Sequence, residues 1–125
     1  MQHIAIVGAG PSGLAFALMQ AREGRRVTLF ERFEAAGPVG AGFMLQPTGL
    51  AVMDDLGLTP DVTRLAQPID HIFGREARRG RVVLDVRYSD LHRPRQALGV
   101  HRAALFHVLH EAVVKAGVEI VTGRE

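Results

Sequence analysis

The sequence contains no cysteine. That excludes disulfides and thiolate metal sites, and it fits a reducing compartment. No apolar run approaches the roughly 18 consecutive residues that a membrane-spanning helix needs. The start, Met1-Gln2-His3, has no basic segment ahead of an apolar signal core. Together these absences predict a cytoplasmic protein without a membrane span. A zinc-type HExxH pair is also missing. His107, His110 and Glu111 lie close in sequence, with His101 upstream, but a further ligand is not evident. They read as the solvated edge of an amphipathic helix, and no metal is expected.

Aromatic side chains are scarce where positive charge gathers. Residues 64–125 hold eleven basic and seven acidic side chains, against four and six in residues 1–63. Seven arginines fall between Arg75 and Arg95, yet Tyr88 is the only aromatic residue in that stretch and Asp85 and Asp90 interrupt it. Nucleic-acid binders combine clustered arginine with a recognition motif. None is present here, so the stretch reads as a solvated strand face and no nucleic-acid partner is expected.

With 125 residues, 47% of them hydrophobic and 22% charged, the chain fits one globular domain covering residues 1–125. Its organising stretch runs from His3 to Glu31. The apolar run Ile4-Ala5-Ile6-Val7 enters Gly8-Ala9-Gly10-Pro11-Ser12-Gly13, a helical pattern follows, and Val27-Thr28-Leu29-Phe30 closes on Glu31. Strand, turn, helix and strand in this order make G-x-G-x-x-G a dinucleotide-binding signal. Gly8 allows the tight turn, Gly10 lets backbone approach a pyrophosphate, and Gly13 lets helix and strand pack closely. Pro11 enters the first helical turn without losing a needed donor. Ser12 offers a hydroxyl to a phosphate oxygen. Ala17 keeps the helix close to the sheet and Gly24 ends it. Glu31 lies 18 residues after Gly13, near the offset of the acid that binds ribose hydroxyls. These residues predict an adenine-dinucleotide site and leave the choice between FAD and NAD open. An acid at Glu31 disfavours a 2′-phosphate.

The segment from Arg32 to Phe43 is rich in glycine and alanine, so it reads either as a loop passing close to something or as a mobile connection. Phe43-Met44-Leu45 reads as a short strand. Pro47 then opens a helix with Leu50, Met53 and Leu56 on one face, stopped by Gly57. A second, short helix is expected with Thr59 as its cap and Pro60 in its first turn, ending before Pro68. Alternation through Ile69, His71 and Phe73, and through Val82, Leu84 and Val86, predicts an inserted antiparallel hairpin over residues 69–88. It would have one buried face and a turn at Arg78-Arg79-Gly80. Ser89 to Gln96 reads as a loop. Leu105, Val108, Leu109, Ala112, Val113 and Ala116 form one helical stripe, followed by Gly117 and the strand Val118-Glu119-Ile120-Val121. That strand is expected beside Val27–Phe30 in one parallel sheet. The predicted class is therefore α/β, a Rossmann-like parallel sheet with an inserted antiparallel hairpin. With only three parallel strands before Glu125, it is expected to be truncated.

Several segments in order carry a resemblance. They are GAGPSG with Glu31-Arg32, GFMLQPTGLAVMDDLGL, the hairpin, and GVHRAALFHVL before GVEIVTG. The chain resembles the amino-terminal part of FAD-dependent aromatic-ring monooxygenases, of the para-hydroxybenzoate and salicylate hydroxylase type. The resemblance implies that Gly8, Gly10 and Gly13 contact the FAD pyrophosphate, and Pro11 and Ser12 of the same turn are counted with them as cofactor-binding. It places Glu31 on the adenosine ribose, Arg32 beside the adenine or in solvent, and Arg102 on phosphate or ribityl oxygens. It also implies hydroxylation of a small aromatic substrate with dioxygen, with NAD(P)H as transient reductant. No catalytic residue is expected among these positions, because the flavin carries the chemistry. The family's downstream Asp-Gly and Gly-Asp segments are absent, so the chain by itself is expected to be catalytically incomplete. An NAD-binding dehydrogenase domain and a non-catalytic nucleotide-binding module are the alternative readings.

Overall fold

The computed structural model describes residues 1–35, 37 and 40–124. In chain order the elements are β1 (His3–Val7), α1 (Pro11–Arg22), β2 (Arg26–Phe30), β3 (Gly42–Leu45), α2 (Pro47–Asp55) and α3 (Thr59–Thr63). Then come β4 (Ala66–Ile69), β5 (His71–Arg75), β6 (Val82–Arg87), a 3-10 turn at Tyr88–Asp90, β7 (Ala97–His101), α4 (Arg102–Lys115) and β8 (Glu119–Val121).

β1, β2 and β8 form a parallel sheet in the order β1-β2-β8, with Ile6 opposite Leu29 and Leu29 opposite Ile120. The outer position expected for the last strand is the one it takes. Alternation along β1 and β2 sends Ile4, Ile6, Val27 and Leu29 toward the helices, because successive strand side chains point to opposite faces. Leu14, Ala17 and Leu18 of α1 and Leu105, Leu109 and Val113 of α4 complete that core, all buried. α1 packs on β1 and β2, and α4 packs on α1, so the turn between β1 and α1 is backed by this core.

The antiparallel part is larger than one hairpin. β7 runs between β3 and β4 in a second sheet of order β3-β7-β4. The strand Ala97–His101 is not legible as alternation, because Gly99 interrupts it and Ala97, Leu98 and Val100 are all buried. β4 contains Pro68, which is tolerated because β4 is an edge strand with one unpaired side. Pairing assigns Ile69 to this sheet and limits the hairpin to β5 and β6, closed by Gly80 N–H donating to the Glu76 carbonyl at 3.0 Å.

Three local expectations are corrected. The hairpin has no buried face on β6, whose six residues are all exposed, because no other element covers it among the described residues. The cap of α3 is Leu58, and Thr59 is the first helical residue; its hydroxyl donates to Asp54 Oδ1 at 2.6 Å instead. Phe106 of α4 is buried, since the helix also packs on β3, β7 and α3, whereas Ala116, which follows the end of α4, is exposed. Among the described residues no helix is long and apolar enough to cross a membrane.

Candidate functional site

The glycine turn lies between two fixed ends. Gly8 N–H donates to the Phe30 carbonyl at 2.7 Å, which ties the exit of β1 to the end of β2. Gly8 itself has φ +99°, a conformation that side-chain-bearing residues rarely adopt. On the other side Gly10 caps α1 with φ −73° and ψ 174°, and Leu14 N–H donates to its carbonyl at 2.9 Å. A Cβ on Gly13 would lie 2.0 Å from the Gly8 carbonyl oxygen, so helix and turn touch backbone to backbone.

The start of α1 has no side-chain cap, and Pro11 occupies its first turn without an N–H. The N–H groups of Ser12 and Gly13 are therefore among the donors that a helix start leaves without an internal acceptor. Around Gly10 a Cβ would meet nothing within 4 Å. Open space, uncapped donors and the positive end of the helix dipole together suit a phosphate group. Ser12 is exposed at the same place.

Glu31 reaches into this turn. Its Oε2 accepts the Ala9 N–H at 2.8 Å, and its Oε1 accepts the Phe33 N–H at 3.2 Å. Only 9% of the residue is exposed. The Ala9 N–H is the main cause that holds the carboxyl below its ordinary range; burial opposes this, and the Phe33 and Arg32 N–H groups and the Arg32 charge add to it. The carboxylate is therefore charged at neutral pH. Ala9 was not legible as a site residue, because its contribution is a backbone N–H that any residue supplies.

The remaining predicted residues stand on other segments. Arg32 is exposed, with its guanidinium 4.9 Å from the centroid of the Phe33 ring. Arg102 begins α4, and its N–H donates to the Ala41 carbonyl at 3.2 Å. A Cβ on Gly40 would lie 3.0 Å from Arg102 Nη1. Among its described parts, the glycine-rich segment after Glu31 thus passes close to Arg102. No hydrogen bond or ion pair joins Arg102 to Glu31 or the glycine turn among the described residues. Ala36, Pro38 and Val39 of that segment, with Glu125, lie outside the described residues.

Other features are separate from this site. A groove of about 710 Å³ runs between α1, α3 and α4, past Leu18, Asp61, Arg64 and Glu111, and contains none of the predicted site residues. Of the charges along it, Arg64 pairs with Asp61 and Lys115 with Glu111, while Arg22 Nη1 donates to the Leu56 carbonyl. His110 stacks on Phe106 with ring centroids 5.2 Å apart.

A family described as an FAD binding domain matches residues 1–125. The 6-hydroxynicotinate 3-monooxygenase of Bordetella bronchiseptica is 32% identical over 118 residues, which is 92% of this chain and 30% of that protein. The 3-hydroxybenzoate 6-hydroxylase of Klebsiella oxytoca is 33% identical over 113 residues, 90% of this chain and 27% of that protein. Among solved structures, the tetrameric form of 2-methyl-3-hydroxypyridine-5-carboxylic acid oxygenase superposes with a TM-score of 0.85 over 100% of this chain and 32% of that chain. At 23% identity, that likeness establishes the fold. The chain thus spans about a third or less of the length of each of these proteins.

Proposed function

The chain belongs to the FAD binding domain family, and from that membership we propose that residues 1–125 grip FAD for a flavoprotein monooxygenase acting on a small aromatic substrate. The observation that carries the assignment is the uncapped start of α1 with open space at Gly10. The pyrophosphate would sit there, against Gly8, Gly10, Pro11, Ser12 and Gly13. Glu31 would accept a ribose hydroxyl, since a carboxylate with two oxygens has about four lone-pair sites and two donors are already bound. Arg32 would lie beside the adenine. Arg102 would direct its planar fork at phosphate or ribityl oxygens. FAD, when bound, would supply the redox chemistry, with NAD(P)H as reductant and dioxygen as oxidant.

The residues of this chain bind and orient, and none is assigned to proton transfer or nucleophilic attack. Relatives named for hydroxynicotinate and hydroxybenzoate support an aromatic substrate. The 125 residues alone would bind FAD without turning over substrate. The absence of cysteine supports a cytoplasmic location. Purified chain should be titrated with FAD, FMN and NAD while absorption and flavin fluorescence are followed. Preference for FAD is expected. A preference for NAD would replace this reading with the dehydrogenase one, and no binding of any of the three would leave a module without this function.

A further inference from the structure

We propose that Glu31 is also a positioning residue for the phosphate turn, its carboxylate holding the Ala9 peptide so that the ribose and pyrophosphate halves of the site are set by one group. The ligand half of this proposal rests on the FAD reading; the holding of the turn does not.

Ala9 is 5% exposed, so its N–H is shielded from water and requires an acceptor inside the protein. The Phe30 carbonyl is taken by Gly8 N–H. Glu31 Oε2, at 2.8 Å, is the acceptor Ala9 has. The Glu31 backbone, which carries this carboxylate, is in turn anchored. Glu31 N–H donates to the Val121 carbonyl at 2.8 Å, and the Glu31 carbonyl accepts the Arg124 N–H at 3.1 Å. Through these bonds the end of β2, β8 with the segment after it, and the turn before α1 meet at one residue, its backbone holding the first two and its carboxylate the third.

Charge makes the arrangement informative. A fixed negative charge beside a pyrophosphate site opposes anion binding by simple Coulomb repulsion. Its presence there is explained if it orients the N–H that shapes the turn. The two effects predict opposite signs for its removal. Without Glu31, repulsion alone would let a phosphate ligand bind more tightly, whereas loss of the orienting bond would make it bind more weakly.

Two measurements decide the proposal. In ligand-free protein, amide exchange at Ala9 should accelerate at least tenfold in Glu31→Ala, while Leu14 and Leu18 in α1 keep their protection. Glu31→Gln, which retains an acceptor oxygen, should restore most of the Ala9 protection. Unchanged exchange at Ala9 in Glu31→Ala overturns the positioning role without reference to any ligand. The second measurement uses ADP and 2′,3′-dideoxy-ADP, the latter lacking the hydroxyls that Glu31 would accept. Glu31→Ala should weaken the dideoxy ligand at least threefold. Equal or tighter binding of that ligand would reduce Glu31 to a ribose contact. Failure of wild-type protein to bind FAD or ADP would reject the functional reading, while the exchange result would still decide whether Glu31 holds the turn.

Discussion

A Cβ on Gly13 would stand 2.0 Å from the carbonyl oxygen of Gly8. Real Cβ atoms do not approach a carbonyl that closely, and the neighbour is backbone rather than the end of a flexible side chain. Gly13→Ala should therefore push α1 away from the turn, an overpacking effect of about 1–3 kcal/mol or more. Loss of FAD affinity is expected to accompany it, because the donors at Ser12 and Gly13 move with the helix. Denaturant unfolding and FAD titration of the same sample check both effects. Wild-type stability in Gly13→Ala would show that helix and turn are not in contact in solution.

Gly10 makes the opposite prediction three residues earlier. Its φ of −73° is ordinary for any residue, and a Cβ there meets nothing within 4 Å. Gly10→Leu should still fold, losing about 1 kcal/mol or less because leucine is a poorer N-cap than glycine. Yet a leucine side chain would occupy the space assigned to the pyrophosphate, so FAD binding should be lost. If Gly10→Leu retained FAD affinity, the phosphate would have to sit elsewhere.

The contrast between these two glycines shows what the sequence makes legible. The glycine spacing, the β1-α1-β2 unit and the place of β8 follow from local patterns, since each element signals itself through nearby residues. The second sheet does not. β7 is buried and lacks alternation, β4 carries a proline, and their pairing joins residues some thirty positions apart. The hairpin alternates as a half-buried strand would, but its exposure depends on which elements cover it, and alternation cannot report that. In the proposed site, the distance from Gly13 is what singles out Glu31 as a candidate. Its bond to Ala9 was not, because a backbone N–H leaves no mark on residue identity.

Arg102 tests the second half of the site. It is exposed, and among the described residues no acid pairs with it; its neighbours are Gly40 and Ala41. Arg102→Ala should leave unfolding within about 0.5 kcal/mol of wild type. A hydrogen bond to a charged ligand contributes about 1.5–3 kcal/mol, so FAD affinity should fall roughly tenfold to a hundredfold. Arg102→Lys should recover only part, because an ammonium cannot reproduce a bidentate fork. Isothermal titration with FAD measures each step. Unaltered affinity in Arg102→Ala would remove this residue from the site.

Asp54 provides a test away from the nucleotide. It sits in the last turn of α2, where the helix dipole disfavours an acid and the helix itself supplies no basic residue. Arg95, from the loop before β7, supplies the missing cation: its Nη2 donates to Asp54 Oδ1 at 3.0 Å and its Nη1 donates to Oδ2. Arg95 is the main cause and the Thr59 hydroxyl the second that lower the Asp54 pKa from 3.8 to about 2. A group whose folded pKa lies below its unfolded value stabilises the fold above the unfolded pKa. That contribution is lost as pH falls through the folded one. The Asp54 contribution is therefore complete above about pH 4 and disappears on acidification toward about pH 2. Arg95→Ala should raise the Asp54 midpoint most of the way back to 3.8, with Thr59 retaining the rest. Carboxyl carbon chemical shifts followed from pH 6 to the acid limit of the fold would measure it directly. An Asp54 midpoint unmoved by Arg95→Ala would mean that the loop before β7 is not held to α2 by this pair.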